Sequence, residues 1–150
     1  MRVLVQRVTQ ASVTIEGELR SSIERGLLVL VGICGDDTSE DVEWLAAKVA
    51  ALRIFDDAAG VMNLDVRQVD GNALVVSQFT LMAMTKKGNR PSYIRAAGEA
   101  VAVPLYEAFV AALSRETGKT VGTGIFGADM KVALVNDGPV TIWIDSKNKE

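Results

Sequence analysis

The sequence predicts a single α/β (α+β) domain with a curved, mostly mixed β-sheet and two main helices. Strand-like apolar runs outnumber helical stretches, two long helical stretches separate groups of strands, and no linker or internal repeat divides the 150 residues. A chain of this length can bury roughly 68–70% of the surface that it exposes when unfolded. We expect the domain over residues 1–145, followed by a polar tail over 146–150, the one segment where disorder is expected.

Strand signals fill the first third of the chain and return after the first helix. Alternating or continuous apolar residues predict five strands there, at 3–9, 11–15, 19–23, 27–34 and 73–79. The second and third form a hairpin around a turn at Gly17. The fourth holds the only cysteine, Cys34, which we expect to be a small buried hydrophobe. The fifth is largely apolar, which suits a sheet covered on both faces.

Two segments show helical periodicity. Thr38 and Asp41 make a variant of the capping box, and the apolar spacing that follows predicts a helix over 39–54. The apolar face of the second helix carries Tyr106, Phe109 and Leu113. Because Pro104 removes a donor and crowds the preceding turn, this helix should either begin near Val103 or be kinked. The last third returns to strands, predicted at 119–126, 130–136 and 140–145.

Composition excludes several kinds of chemistry. The chain has no histidine, which removes Ser-His-Asp and Cys-His nucleophilic machinery and the commonest zinc ligand. A net charge of −3 argues against tight, non-specific binding of RNA or DNA, although it is compatible with a local basic patch.

Cys34 has no partner for an internal disulfide, and no apolar run approaches the ~20 residues that span a bilayer. With no signal-peptide core at the start, a cytoplasmic location is expected.

Three polar clusters are candidates for function. Ser77, Gln78, Phe79 and Thr80 end a predicted buried strand. They either satisfy local backbone groups or form a pocket floor whose backbone N–H groups stabilise an oxyanion. Thr80 is a nucleophile in principle, but nothing in the sequence supplies it with a base.

The second cluster, Asn136 to Thr141, has the composition of a turn. Its Gly138-Pro139 bond is of the only type in which a cis peptide is easily reached. A cis unit would aim two adjacent carbonyl oxygens in similar directions, as a rigid acceptor pair for an ammonium group.

The third cluster is basic. Lys86, Lys87 and Arg90 lie in a polar loop predicted over 83–93, where they are either solvated or contact phosphate. The loop carboxylates lack the spacing of a metal site, so no metal and no cofactor are predicted. These carboxylates are Asp36, Asp37, Asp56, Asp57 and Asp65.

Taken together, the motifs resemble the D-aminoacyl-tRNA deacylase family, the proofreading enzymes that clear D-amino acids from charged tRNA. The resemblance covers essentially the whole chain from Met1 to Asp145. Its segments are Arg2 to Val13, Gly26 to Leu30, Arg53 to Phe55, Met62-Asn63, Ser77 to Leu81, Asn89 to Ser92, Phe126 to Met130, and Asn136 to Thr141. Pro104 in the second helix, Asn89 in the basic loop and the tail after Asp145 depart from the family pattern.

The resemblance implies a barrel-like sheet and a homodimer in which Gly138-Pro139, held cis, enters the partner's pocket. It also implies roles for four groups of residues. Ser77 to Thr80 would form the pocket floor, Met130 would line the pocket, Arg7 would support the proline loop, and Lys86, Lys87 and Arg90 would lie near the tRNA acceptor end. Expected substrates are D-aminoacyl-tRNA and glycyl-tRNA, with no DNA or membrane partner. The preferred D-amino acid and tRNA, and whether Thr80 acts chemically, stay open.

Two other classes of protein are compatible with parts of the pattern. One is a non-catalytic adaptor for nucleic acid or replication on the same fold, because fold alone does not fix function. The other is a metal-dependent hydrolase that uses the loop carboxylates.

Overall fold

A computed structural model describes all 150 residues. The strands are β1 (Arg2–Ile15), β2 (Glu18–Ile23), β3 (Gly26–Gly32), β4 (Phe55–Asp56), β5 (Met62–Leu64), β6 (Asn72–Ser77), β7 (Gly122–Thr123) and β8 (Lys131–Asp145). The helices are α1 (Ser39–Ala51) and α2 (Glu99–Thr117), and a short 3-10 turn covers Phe79–Met82.

One mixed sheet organises the domain, in the order β2-β1-β3-β6-β7, with β8 along the other edge of β1. The pairs that involve β1 are antiparallel, whereas β3-β6 and β6-β7 are parallel. The register between β1 and β8 shifts around Val8, and such irregularities bend a strand. The predicted curved, mixed and nearly closed sheet in a single α+β domain is confirmed.

Two apolar clusters form the core. The larger joins one face of the sheet to the helices, with α1 and α2 packed against each other. The apolar face predicted for the second helix is confirmed at Phe109 and Leu113, which lie in this cluster, and the apolar spacing of α1 places Leu45 and Val49 there as well. The smaller cluster lies on strands β1, β3 and β6, and Met130 packs against it. The site described below lies between the two clusters, with lining residues from both.

Several sequence-based boundaries need correction. The segments 3–9 and 11–15 form one strand, because β1 pairs with β8 along nearly its whole length. The segments 130–136 and 140–145 likewise join into β8 across Gly138-Pro139. The strand predicted over 119–126 shrinks to Gly122–Thr123, and the β4-β5 pair was not predicted.

The helix ends and Cys34 also differ from expectation. Thr38 N–H donates to Asp41 Oδ2 at 2.8 Å, as the capping pattern predicts, but α1 ends at Ala51 rather than at 54. The second helix starts at Glu99, so the start near Val103 was wrong, and Pro104 lies within the helix. Cys34 lies after the end of β3 and is only half-buried, rather than a core residue of a strand.

The tail contacts the body of the domain at its first two residues. Ser146 is buried, and its Oγ accepts a hydrogen bond from the Met1 amino group at 2.9 Å. That amino group also pairs with the Asp37 carboxylate, and both groups are fully buried. Lys147 Nζ donates to Asp41 Oδ2 at 2.9 Å. These contacts hold the two ends of the chain together at the start of α1.

Candidate active site

A cavity of about 260 Å³ opens beside the end of β6. It is lined by 13 residues, of which 10 are hydrophobic, from β3, β6, the start of α2 and the segment before β8. Four residues singled out in the sequence lie in its wall, namely Ser77, Gln78, Phe79 and Met130. The structure therefore brings together the end of one strand and a segment that lies some fifty positions later in the chain.

The backbone changes direction sharply at the floor of this cavity. Gln78 N–H donates to Val31 O at 2.7 Å, and the chain then leaves the sheet as the 3-10 turn. Within the turn, Leu81 N–H donates to Gln78 O at 3.2 Å. The N–H groups of Phe79 and Thr80 make no turn, loop or side-chain hydrogen bond, as is usual for the first residues of a helical turn. Two neighbouring donors are therefore free, that of Phe79 in the cavity wall and that of Thr80 directly after it in the chain.

The side chains of this segment hold one another rather than a base. Gln78 Nε2 donates to Thr80 Oγ1. A carboxamide nitrogen that already donates has no means of taking the proton of a hydroxyl. Thr80 also does not contribute to the cavity wall, and no carboxylate or lysine forms a hydrogen bond with it. This geometry favours the interpretation of Thr80 as a residue that positions its neighbours.

Aromatic rings form the exposed rim. The ring of Phe79 is 56% exposed and meets the ring of Tyr93 edge-on, with centroids 5.0 Å apart. The sequence pointed to Phe79 but not to Tyr93, which lies at the end of the predicted basic loop. Phe126, Gly127 and Ala128 also line the cavity, although only Met130 of that segment was selected from the sequence. The signal in the sequence that could have identified these missed residues is the position of the aromatic residues Tyr93 and Phe126 beside turns that contain glycine or proline.

Met130 reaches the cavity because Gly124 leaves room for it. A Cβ built on Gly124 would lie 2.3 Å from Met130 Sδ, so no side chain larger than hydrogen fits there without displacing the methionine. Met130 thus fills a gap between the smaller core cluster and the cavity, a use that suits its flexible side chain.

The segment from Asn136 to Thr141 lies elsewhere on the protomer. Gly138 and Pro139 are exposed and do not line the cavity of their own chain, and the peptide bond between them is cis. Val140 N–H donates to Asn136 Oδ1 at 3.0 Å, and Asn136 Nδ2 donates to Thr141 Oγ1 at 2.8 Å. The asparagine side chain therefore closes the base of the loop.

Arg7 supports the same loop from β1. Its side chain is 9% exposed, and its Nε donates to Asp137 O at 3.0 Å. Its Nη1 donates to Ile54 O at 2.6 Å, which anchors the guanidinium to the chain after α1. Gly138 has a φ of 132°, and a Cβ there would lie 3.1 Å from Arg7 Nη2 and 2.8 Å from Val140 Cγ2. A side chain at position 138 would therefore collide with Arg7 and Val140, so this position requires glycine.

The basic loop projects into solvent. Met84 and Ser92 exchange two backbone hydrogen bonds, at 2.8 and 3.0 Å, which close the loop at its base. Lys86, Lys87 and Arg90 are exposed, and none of them takes part in an ion pair or a side-chain hydrogen bond. All three charges are free to bind an external anion.

Comparison with known proteins identifies the family of the chain. A family model for D-Tyr-tRNA(Tyr) deacylase matches residues 4–145. The chain belongs to the D-aminoacyl-tRNA deacylase family. The resemblance found in the sequence is therefore confirmed.

Relatives named D-aminoacyl-tRNA deacylase match the deacylase over its full length. Those of Flavobacterium psychrophilum and Bacteroides thetaiotaomicron are 61% and 62% identical over 150 residues, covering 100% of both chains. A solved structure of the c-Myc DNA Unwinding Element Binding Protein gives a TM-score of 0.91 at 40% identity, over 97% of this chain and 98% of that one. Another, described as "a probable eukaryotic D-amino acid tRNA deacylase", gives 0.82 at 17% identity over 95% and 97%, which is a likeness of fold.

The deacylase hydrolyses the ester bond of an aminoacyl-tRNA. The candidate pocket carries no charge of its own. None of the lining residues is ionisable. The ring of Tyr106 packs against that of Phe126 in the cavity wall, with centroids 5.9 Å apart. The buried Tyr106 hydroxyl donates to Val75 O at 3.0 Å, and burial raises the pKa of Tyr106 to about 12. This phenol stays neutral at working pH. The groups that this pocket offers for chemistry are therefore backbone N–H donors, hydroxyls and an amide.

Metal chemistry has no ligand set here. No group of three or more Cys, Asp or Glu side chains in the chain could hold a metal ion.

Neither helix has the length and apolar character that crossing a membrane requires.

Proposed function

We propose that the enzyme removes D-amino acids, and glycine as well, from tRNA as a homodimer whose two pockets are each completed by the partner's Gly138-Pro139 loop. The observation that carries the proposal is a pair of neighbouring N–H groups without a turn, loop or side-chain partner, that of Phe79 in the wall of an uncharged pocket and that of Thr80 directly after it in the chain. Such donors are suited to a negative charge that develops on an ester oxygen.

The chemistry follows from these groups. The scissile ester is already activated by the neighbouring ribose hydroxyl, which in this mechanism also helps to activate the attacking water. The N–H groups of Phe79 and Thr80 stabilise the oxyanion, and the loss of one such donor typically costs ~10²–10³ in rate. Thr80, which receives a hydrogen bond from Gln78, positions the turn and does not attack the ester.

Chirality is read by exclusion. The carbonyl oxygens of Gly138 and Pro139 bind the α-amino group of the substrate and leave no room for an L side chain. A D side chain points outward to solvent, so its identity is read loosely. Glycine has no side chain to exclude, and glycyl-tRNA is therefore a substrate.

Two features support assembly into a dimer. Gly138 and Pro139 are exposed, and they are held in shape by Arg7 and Asn136 although they serve no pocket of their own chain. The strand that carries them, β8, pairs only with β1, which leaves its 15-residue outer edge open. Large apolar side chains on this strand are also exposed, including Leu134, Val135 and Trp143. An open, apolar edge strand is a common site of pairing with a second chain.

The tRNA is held through its phosphates. Lys86, Lys87 and Arg90 offer three unpaired charges on a loop that begins and ends at the pocket rim, close to Phe79 and Tyr93 in the chain. Phosphate contacts position a nucleic acid without reading its sequence. Because the substrate is a product of tRNA charging, the enzyme acts in the cytoplasm.

A DNA-binding adaptor is the second candidate, because one similar solved structure is named as a DNA unwinding element binding protein. Release of D-tyrosine from D-tyrosyl-tRNA, measured with and without chelator, separates the candidates. We expect chelator-insensitive release from D-tyrosyl-tRNA and glycyl-tRNA, and none from L-tyrosyl-tRNA. An adaptor releases nothing, and a metal-dependent hydrolase stops when chelator is added. A failure with glycyl-tRNA at high enzyme concentration removes that part of the proposal alone.

A further inference from the structure

The carbonyl oxygen of Leu81, in the pocket-floor turn, receives its hydrogen bond from the first strand of the chain. Arg2 Nη1 donates to Leu81 O at 2.9 Å, while Nε of the same guanidinium donates to Asp145 Oδ2 at 2.8 Å. The last carbonyl groups of a helical turn have no partner within the turn. Arg2 therefore closes the Phe79–Met82 turn from outside.

The pairing register explains why this arginine reaches the turn. Arg2 of β1 lies directly opposite Asp145 of β8 on one side and Gly32 of β3 on the other. Directly opposed residues of neighbouring strands share a face of the sheet. A Cβ on Gly32 would lie 2.9 Å from Leu81 Cβ and 3.0 Å from Gln78 O, so the turn occupies the space that a side chain would need. In this cross-strand row, Gly32 leaves the space that the turn occupies, Arg2 provides the donor to Leu81 O, and Asp145 provides the carboxylate that pairs with Arg2.

The guanidinium is held firmly in this position. The side chains of Arg2 and Asp145 are 18% and 11% exposed, and the ring centroid of Trp143 lies 5.3 Å from the guanidinium carbon. Burial raises the pKa of Asp145, but hydrogen bonds from Arg2 and from Lys147 N–H outweigh it, so the net pKa lies below its ordinary value. The carboxylate is therefore charged at working pH. The preceding residue, Met1, is itself fully buried.

We propose that Arg2 is a positioning residue for the reaction, which fixes the Phe79–Met82 turn so that the N–H groups of Phe79 and Thr80 point at the developing oxyanion. This inference rests on the oxyanion role proposed above for those two groups. Arg2 acts through Leu81 O and Asp145, and it does not line the cavity.

Lysine is not an adequate replacement at this position. The two bonds come from two nitrogens of one planar group, and a lysine ammonium offers a single point charge on a flexible stem. Arg2→Lys keeps the attraction to Asp145 but gives up the simultaneous, directed bond to Leu81 O. The turn then loses its outside donor while the charge balance of the strand pair is preserved.

The test measures kcat and KM for D-tyrosyl-tRNA with R2K, R2M and D145N, together with thermal unfolding. Displacement of a reacting group by about 1 Å costs on the order of 10²-fold, so we expect kcat of R2K and R2M to fall by about 10- to 100-fold with KM within about twofold of wild type. D145N keeps an oxygen acceptor for Arg2 and should lose less. The R2M/D145N double variant should resemble R2M, because both act through one contact. R115M, which breaks the exposed Arg115–Glu43 pair, is the control.

The proposal is overturned if R2K retains wild-type kcat, whatever happens to its melting temperature, since Arg2 is then only a structural residue. It is equally overturned if R2K and R2M raise KM and leave kcat intact. If R2M does not fold, R2K decides the matter alone. Absence of D-tyrosine release by the wild-type enzyme would instead count against the proposed substrate.

Discussion

Arg7 Nε donates to the main-chain oxygen of Asp137 at 3.0 Å, and this hydrogen bond ties the first strand to the residue before Gly138. The same guanidinium donates to Ile54 O at 2.6 Å, so it bridges two segments that are far apart in the chain. The proposed chiral filter is therefore supported by a buried charge rather than by local turn contacts alone.

Replacing Arg7 by lysine should weaken the filter. A lysine does not donate to Asp137 O and Ile54 O in the same fixed geometry, and each bond from a charged group is worth about 1.5–3 kcal/mol. We expect kcat/KM for D-tyrosyl-tRNA to fall by about tenfold or more, since 1.4 kcal/mol corresponds to about a factor of ten. R115K is the matched control. The prediction is wrong if R7K keeps wild-type kcat/KM.

Gly32→Ala should misplace the pocket-floor turn. The new methyl group would lie 2.9 Å from Leu81 Cβ and 3.0 Å from Gln78 O, so the turn must move outward. Overpacking of this kind costs about 1–3 kcal/mol in stability, and we expect a larger relative loss in kcat than in KM. Gly35→Ala, where a Cβ meets nothing within 4 Å, should be close to wild type in both. An unchanged kcat for G32A would contradict the tight seat described for the turn.

Complementation between two variants tests where the Gly138-Pro139 loop acts. A128W fills the cavity that Ala128 lines, and G138V places a branched side chain at a φ of 132° against Val140. Each homodimer should be inactive. A co-expressed heterodimer unites one intact pocket with one intact loop and should regain activity towards D-tyrosyl-tRNA. Persistent inactivity of purified, folded heterodimer would mean that each loop serves its own chain.

Removing the three free charges of the basic loop should affect binding rather than chemistry. For K86A/K87A/R90A we expect a higher KM, an unchanged kcat, and a log KM against log salt slope reduced by about 2 to 3, because each phosphate contact contributes about 0.7–0.9 to the slope. K48A, which removes an exposed lysine on α1, is the control. A salt slope that does not change would place the tRNA on another surface.

Asp41 should make stability sensitive to acid. Burial raises its pKa, but hydrogen bonds from Ser146, the Thr38 N–H and Lys147 outweigh it, so the pKa lies well below its ordinary value. A carboxylate with a lowered folded-state pKa stabilises the protein above its unfolded pKa of about 4, and that contribution is lost as pH falls further.

D41N should therefore lower the free energy of unfolding by about 1–2 kcal/mol at pH 7, and the difference from wild type should shrink towards pH 3. Urea unfolding at several pH values measures this. D129N changes a carboxylate that is 87% exposed and serves as the control. A pH-independent difference would mean that Asp41 acts only through its shape.

Local periodicity predicted most of the elements that build the core. Apolar spacing placed the faces of both helices correctly, and the Thr38–Asp41 pattern marked the start of α1. The ends were less predictable, because Pro104 is tolerated inside α2 and Gly138-Pro139 does not interrupt β8. In both cases the packing of the whole element outweighs the preference of one residue. The pairing of β8 with β1 on both sides of the Gly138-Pro139 loop is a long-range property.

The candidate site was predictable where residues are neighbours in sequence. Ser77, Gln78 and Phe79 form one segment of the cavity wall, as the strand-end pattern suggested. Tyr93 and Arg2 were not recognised, because their contacts with Phe79 and Leu81 depend on how distant strands and loops are placed. Arg2 in particular has no local signal, since its role follows from the strand register that sets it beside Gly32.

The open side of β8 has a consequence for a separated protomer. Its unsatisfied main-chain groups and the exposed Leu134, Val135 and Trp143 would then face water together. Such a surface invites aggregation as readily as it permits correct assembly. In the proposed dimer the same strand also carries the Gly138-Pro139 loop that excludes L substrates. Dissociation of the dimer upon dilution would therefore lower the stereochemical selectivity of the enzyme and promote its aggregation at the same time.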